Sequence, residues 1–260
     1  MHTARMGALS VPTTPQEGDS NMNSQSLPHV VCAAVLLASP LVQADFANGP
    51  DPYAAGFGFE TPDSADWGGW HRADDGTLYA EWDDFAAVNP AAPDIGVAGA
   101  SVATFGWNPG TFATGGGNLY NFGSTQVFTI TMAGDVGGGS GPVTVALQTE
   151  TWGTPLGQTS AGAALPPVTL NGMTWDSKVV THQDPSFASA FGPVLLEQAL
   201  FLWTLDAPLA GYEFVLQGGP HMSFAQAAVD IGPSPVPVPA AAWLLAPALA
   251  TVSRARRRNA

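Results

Sequence analysis

The feature that most constrains the fold is an alternation of apolar and polar side chains along several short segments. In Gln126–Met132, for example, Phe128, Ile130 and Met132 share one side of an extended chain. A period of two in β-branched and aromatic residues is typical of a β-strand. The same period predicts strands at Thr77–Trp82, Val143–Thr149 and Gly211–Gln217. Two further strands are predicted at the apolar run Leu195–Leu205, which suits burial on both faces, and at Phe224–Ile231.

Turn-forming sequences separate these segments and indicate many short strands. The chain has 30 glycines and 23 prolines, and turns such as Asp74-Asp75-Gly76 and Asn171-Gly172 stand between the strands. Because this region shows no amphipathic helix, we predict an all-β domain at residues 45–232, a two-sheet antiparallel β-sandwich of jelly-roll type. Residues 87–117 are expected to form a long loop that carries short strands. The predicted core consists of Phe57, Phe59, Trp82, Phe128, Ile130, Val145, Leu147, Leu202, Phe214 and Leu216.

The charge of the domain is strongly one-sided. Residues 45–232 contain 19 of the 21 acidic side chains but only Arg72 and Lys178 among the basic ones, which gives a formal net charge of −17. Such a surface repels phosphate groups, so we predict no nucleic-acid partner. Cys32 is the only cysteine and lies outside the domain. The domain therefore depends on core packing or bound ions rather than on a disulfide.

The C-terminal stretch differs in composition from the domain. Residues 233–239 are a proline-rich linker, which keeps the chain extended. Residues 240–260 begin with an apolar run that favours a short hydrophobic helix and end in arginines that favour the cytoplasmic side of a membrane. From residue 236 to residue 252 such a helix would be about 25 Å long against roughly 30 Å of hydrocarbon, which suits transient inner-membrane anchoring.

The residues of this tail follow a distinctive order: Val236, Pro237, Val238, Pro239, Ala240 and Trp243, then Arg256, Arg257 and Arg258. In this order they resemble the PEP-CTERM sorting signal in its Val-Pro-x-Pro-Ala form. In that family, which occurs in Gram-negative bacteria that make extracellular polysaccharide, an exosortase recognises and cuts the tail. The resemblance is limited to the tail and implies an exosortase as processing partner. The alternative is a helix buried in the domain, although a block of arginines is not expected at the end of a core helix.

A sorting tail of this kind requires export, so we expect a signal peptide near the N-terminus. Residues 1–21 are polar and contain prolines, and we interpret them as a disordered extension or a mis-assigned start. Residues 22–44 contain an apolar run that ends in small residues, which predicts a signal peptide cleaved after Ala44. The alternative for the apolar run is a core helix.

Five tryptophans, including Trp175, lie in or beside glycine-rich turns, and the four considered for binding are Trp67, Trp70, Trp107 and Trp152. Flat aromatic faces on loops can stack on sugar rings while nearby amides bind the hydroxyl groups, so these residues are candidates for carbohydrate binding. The alternative is that they close the ends of a sandwich that has no disulfide.

Acidic residues near the first predicted strand suggest two further kinds of site. Asp74, Asp75, Asp83 and Asp84 are candidate Ca²⁺ ligands if a hairpin brings the two pairs together, and solvated acids are the alternative. The sequence from Glu81 to Asp84 also weakly resembles the start of the Glu-x-Asp-x-x-Glu strand of jelly-roll β-glucanases, in which two carboxylates flank the sugar. Here alanine takes the place of the second glutamate. We therefore predict no catalytic residue and no cofactor other than this calcium.

These observations together predict an exported structural protein of the cell surface or extracellular matrix, associated with extracellular polysaccharide. The alternative is a carbohydrate-binding module that uses the loop tryptophans. A glycoside hydrolase-like jelly roll is a further alternative, disfavoured by the missing second carboxylate.

Overall fold

The computed structural model describes residues 48–137, 141–190 and 192–235, which form an all-β fold of two antiparallel sheets. The larger sheet contains β1 (Leu78–Trp82), β2 (Gly96–Ala98), β4 (Phe112–Ala113), β5 (Leu119–Tyr120), β7 (Val143–Trp152), β10 (Ser177–Ser189), β11 (Gly192–Leu205) and β13 (Ser223–Pro233). The smaller sheet contains β3 (Ala100–Trp107), β6 (Gln126–Gly134), β8 (Thr169–Leu170), β9 (Met173–Thr174) and β12 (Tyr212–Gly218).

The strand order places elements that are distant in the chain side by side. The larger sheet runs β10-β11-β7-β13-β1-β2, and the short hairpin β4-β5 joins the start of β13. The smaller sheet runs β3-β6-β12-β8-β9. Within the described residues no helix is long and apolar enough to cross a membrane. The predicted signal peptide, the C-terminal helix and the sorting tail lie outside the described residues.

Alternate side chains of both sheets fill one shared hydrophobic core. Phe224 of β13 has its ring centre 4.8 Å from that of Phe128 and 5.2 Å from that of Phe105, both on the smaller sheet. All three rings are fully buried. Complete burial of one such side chain stabilises the folded state by about 1.5–3 kcal/mol, so these contacts hold the two sheets together.

The predicted strands are confirmed. Each of the six segments lies in a strand, except for the first residues of two of them, Thr77 and Gly211. Residues 196–201 of β11 are buried on both faces, as the apolar run predicted. Residues 87–117 contain the short strands β2 and β4, as expected of a long loop that carries short strands, but the prediction missed β3, which extends over eight residues. Strand β10 was not predicted, because its residues are mostly exposed or half-buried and include a proline, which hides the alternation.

Three of the predicted core residues lie elsewhere. Leu202 is on the opposite face of β11 from Phe201 and Trp203, which point into the shared core. Phe57 and Phe59 precede the first strand and lie outside the shared core, where Phe59 packs edge-on against Tyr53. These residues lie elsewhere because the larger sheet has a second covered face. Residues 48–77 pack over its outer face, the one away from the shared core, and apolar side chains are buried there as well.

This outer face is unusual because it is both polar and buried. Its polar side chains come from four neighbouring strands: Glu81, Gln148, Glu150, Gln198, Gln226 and Asp230. The backbone of the covering segment binds two of them, Gln148 and Gln198. Gln148 accepts a hydrogen bond from the Glu60 amide at 2.7 Å and donates one to the Glu60 carbonyl at 2.9 Å. Such bonds are needed because a buried amide without partners destabilises the fold by about 1–3 kcal/mol.

Candidate functional site

A pocket with a volume of about 730 Å³ opens at one end of the larger sheet, and it is the candidate ligand site. The hairpin β4-β5, the end of β7, the turn before β13 and residues 48–49 all contribute to its wall. Its aromatic lining residues are Phe112, Tyr120, Phe122 and Trp152. Its main polar lining residues are Asn48, Thr114, Asn118, Thr154, His221 and Ser223.

One wall of the pocket is a cluster of exposed aromatic rings. Phe112 and Phe122 are stacked, with ring centres 5.7 Å apart and an angle of 27° between the planes. Tyr120 meets Phe122 edge-on at 5.0 Å. Phe112 is 41% exposed and Phe122 is 61% exposed. A contiguous apolar patch left in water by a folded chain is typical of a binding surface, since folding alone gains nothing from exposing it.

Trp152 also lines the pocket, and three contacts hold its ring in place. Its ring centre lies 4.9 Å from that of Phe187, and its indole N–H donates to Glu150 Oε1 at 2.7 Å. Gly49 makes the third contact, where a Cβ would come within 3.0 Å of the indole ring. Because these contacts fix the ring, a ligand that stacks on Trp152 meets a preformed surface.

The polar groups of the pocket are arranged as hydrogen-bonding side chains of defined orientation. Asn48 donates through Nδ2 to the Ala225 carbonyl at 2.7 Å, so its Oδ1 is the free end of the amide. That oxygen has no hydrogen-bond partner among the described residues, although Asn48 is only 3% exposed. Asn118 donates to the Ser223 hydroxyl.

A strained turn places His221 at the rim of the pocket. Its φ angle is +65°, which is uncommon for a residue with a side chain. Its ring nitrogen Nδ1 lies 3.0 Å from the Tyr120 hydroxyl, and its carbonyl lies 2.9 Å from where a Cβ of Gly153 would stand. Glycine is therefore required at position 153. Strained residues of this kind are enriched at ligand sites.

Glu150 lies directly behind the Trp152 wall and is 1% exposed. Burial raises the pKa of Glu150 to about 7, because the charged form loses its hydration. The N–H groups of Gln198 and Trp152, each 2.7 Å from one carboxyl oxygen, favour the carboxylate and limit this rise in pKa. The carboxyl group therefore changes charge near neutral pH while it holds the indole of the pocket wall.

A second cluster of charged groups lies on the same outer face, around Arg72. The guanidinium makes two hydrogen bonds of 2.8 Å to Asp230, one from Nε to Oδ1 and one from Nη2 to Oδ2. Its Nη1 lies 3.5 Å from Glu81 Oε2, and Tyr53 and Tyr79 also donate to Glu81. Both carboxylates are 1% exposed. Burial raises the pKa of each, while the guanidinium opposes the rise.

The Arg72 cluster joins the covering segment to the sheet. Arg72 and Tyr53 belong to residues 48–77, whereas Glu81 and Asp230 belong to β1 and β13. A buried charge is tolerated only when it is paired, and here one cation is shared by two carboxylates. The arrangement explains why Arg72, one of the two basic residues of the domain, has a side chain that is only 18% exposed. Both acids are covered by the covering segment, and neither is accessible from the surface.

The candidate tryptophans have different environments. Trp152 lines the pocket. Trp67 and Trp70 are 9% and 6% exposed and pack against Ala146 and Leu200 on the covered face, so their ring faces are not available for stacking on a sugar. Trp107 is half-buried and packs at the edge of the shared core, with its ring centre 6.2 Å from that of Phe85.

The four candidate calcium ligands are not brought together. Asp74 and Asp75 precede β1, whereas Asp83 and Asp84 follow it, so a five-residue strand of about 17 Å separates the pairs. Asp74 caps the His71 amide at 2.7 Å, and the amides of Asp83 and Asp84 donate to Asp94. The described residues contain no group of three or more His, Cys, Asp or Glu side chains arranged to hold a metal ion.

Most pocket residues were missed by the sequence reasoning, which considered tryptophans but not phenylalanines. The exposed Phe112 belongs to the predicted loop at residues 87–117 and Phe122 follows that loop, and this cluster of aromatics was the available signal. Asn48 and His221 are too far apart in the chain for any motif to join them. Comparisons with family models, with curated proteins and with solved structures find no match for this chain.

Proposed function

We propose that this chain is an exported cell-surface or extracellular-matrix protein that associates with extracellular polysaccharide, and that the pocket at the end of the larger sheet is where the sugar binds. The observation that carries the proposal is the combination of exposed aromatic rings with fixed hydrogen-bonding side chains in one preformed pocket. In this proposal the two sheets form a β-sandwich of jelly-roll type that serves as a rigid scaffold, with no catalytic role.

The chemistry of the pocket suits a sugar ring. The apolar face of a sugar can stack on Trp152 or on the Phe112–Phe122 pair, while its hydroxyl groups meet amide and hydroxyl side chains at the pocket's edges. A volume of about 730 Å³ lies within the range of roughly 300–1,000 Å³ that is usual for small-ligand sites. Carbohydrate binding is therefore assigned to this pocket, with Trp152 retained from the four candidate tryptophans.

The ends of the chain support an extracellular location. The order of residues in 236–260 resembles the PEP-CTERM sorting signal, and residues 22–44 have the composition of a signal peptide. In this proposal the tail anchors the protein transiently in the inner membrane until an exosortase cuts it. Intact-mass analysis of the surface-extracted protein tests this part. We expect an N-terminus at Asp45 and loss of the terminal arginines, and a full-length mass from residue 1 to residue 260 would contradict it.

Affinity electrophoresis in gels that contain extracellular polysaccharide tests the pocket. The wild-type protein should be retarded, and the double variant Phe112→Ala/Phe122→Ala should lose at least tenfold in affinity, because it removes both exposed rings without touching the shared core. Met173→Ala is the matched control, since Met173 is also 41% exposed but lies on β9, outside the pocket. Equal retardation of wild type and double variant would refute the assignment of the pocket, and no retardation of either would refute binding.

A further inference from the structure

The lining of the pocket is free of charged side chains. Among its described lining residues there is no aspartate, glutamate, lysine or arginine, and His221 is the only titratable side chain besides Tyr120. Glu150, which accepts a hydrogen bond from the Trp152 indole, is buried and is not among the lining residues. The pocket therefore offers aromatic faces, amides and hydroxyl groups, but no fixed ion as a partner for a charged ligand.

An anionic ligand would be disfavoured by two independent effects. A carboxylate or sulfate that enters the pocket loses hydration and gains no cation in return, and burying an unpaired charge is costly. It would also approach a domain with a formal net charge of −17, whose field repels anions. The second effect is screened beyond about 10 Å at 0.1 M salt, whereas the first is not.

We propose that the pocket selects uncharged, hydroxyl-bearing saccharides and discriminates against uronic-acid and sulfated ones, because its described lining residues offer no cation to pair with an anionic sugar. This inference rests on the proposed function, because it names the class of sugar that the same pocket binds. The uncharged lining would distinguish neutral from acidic polysaccharide. The aromatic rings by themselves would not, because both kinds of sugar have a face that stacks on an aromatic ring.

The test uses ligands that differ in charge but not in backbone. Binding to polygalacturonate and to its fully methyl-esterified form is measured by tryptophan fluorescence, beside neutral glucan, galactan and mannan. At least one neutral polymer should bind, and the ionised polygalacturonate should bind at least tenfold more weakly than the methyl ester or the best neutral polymer at low salt. Raising the salt should narrow this ratio without abolishing it.

Two lysine variants test the cause of the selectivity. Gly116 lines the pocket with an ordinary backbone conformation, so Gly116→Lys adds a cation there without strain. We expect it to strengthen binding of ionised polygalacturonate severalfold, whereas Met173→Lys adds the same charge outside the pocket and should change binding much less. Tighter binding of the ionised polymer than of every neutral one by the wild type would overturn the inference but leave the proposed function intact. Binding to none of the polymers would overturn both.

Discussion

Replacement of Arg72 by methionine should show how strongly the covering segment is held to the sheet. Methionine keeps much of the length and apolar surface of arginine but removes the charge. In the variant, Asp230 and Glu81, each 1% exposed, would share no cation. Breaking a buried ion pair from one side destabilises a fold by about 3–5 kcal/mol. Arg72 also lies over the Tyr79 ring, 3.9 Å from its centre, and this cation–π contact would be lost as well.

The loss is measured by urea unfolding at pH 7, followed by circular dichroism and tryptophan fluorescence. With a denaturant slope of about 2–3 kcal/mol/M, a loss of 3–5 kcal/mol lowers the midpoint by roughly 1–2 M. Lys178→Met is the matched control: it removes the same charge from the same acidic domain, but Lys178 is half-buried at the edge strand β10. We expect the Lys178→Met variant to lose less than about 1 kcal/mol of its free energy of unfolding.

A double-mutant cycle with Asp230→Asn separates the ion pair from other effects of the substitutions. The two 2.8 Å bonds between Arg72 and Asp230 should give a coupling free energy of at least about 1.5 kcal/mol. Suppose that Arg72→Met lowers the free energy of unfolding by less than about 1 kcal/mol, or by no more than Lys178→Met does. The Arg72 cluster would then not hold the covering segment to the sheet, and the prediction would be refuted.

Two further changes test the environment of the outer face. Burial raises the pKa of Glu150 to about 7 from the ordinary 4.5, so between these pH values the folded state binds more protons than the unfolded state. The free energy of unfolding should therefore fall as the pH rises from about 5 to 7, by up to ~3 kcal/mol in all. Glu150→Gln should flatten this slope in urea unfolding across pH 5–8, and an unchanged slope would contradict the assignment. Gly232→Ala should lower the free energy of unfolding by about 1–3 kcal/mol, and with it the melting temperature, because the new Cβ would lie 2.5 Å from the Trp70 ring. Gly115→Ala is the control: its added Cβ would have no neighbouring atom within 4 Å, so the melting temperature should change little. Equal effects of the two substitutions would show that Trp70 does not pack against Gly232.

The candidate site was only partly predictable. Trp152 was identified from its position beside a glycine, but the same criterion also selected Trp67 and Trp70, which are buried under the covering segment. Glycine neighbours indicate a turn, and they do not say whether another segment packs over it. The segment that buries these two rings is held by Arg72, whose partner Asp230 is 158 residues away in the chain. No local pattern records such a contact.

What the sequence by itself determined is the class of fold. Alternation in segments such as Gln126–Met132 sets which side chains point the same way, because successive residues of a strand face opposite sides whatever the strand pairs with. What only the tertiary structure decided is which of those faces meets water. β7 has polar residues on the side away from the shared core, and they are buried because residues 48–77 cover them. The pocket depends on the same long-range packing, since it brings Asn48, Phe122, Trp152 and His221 together from separate parts of the chain.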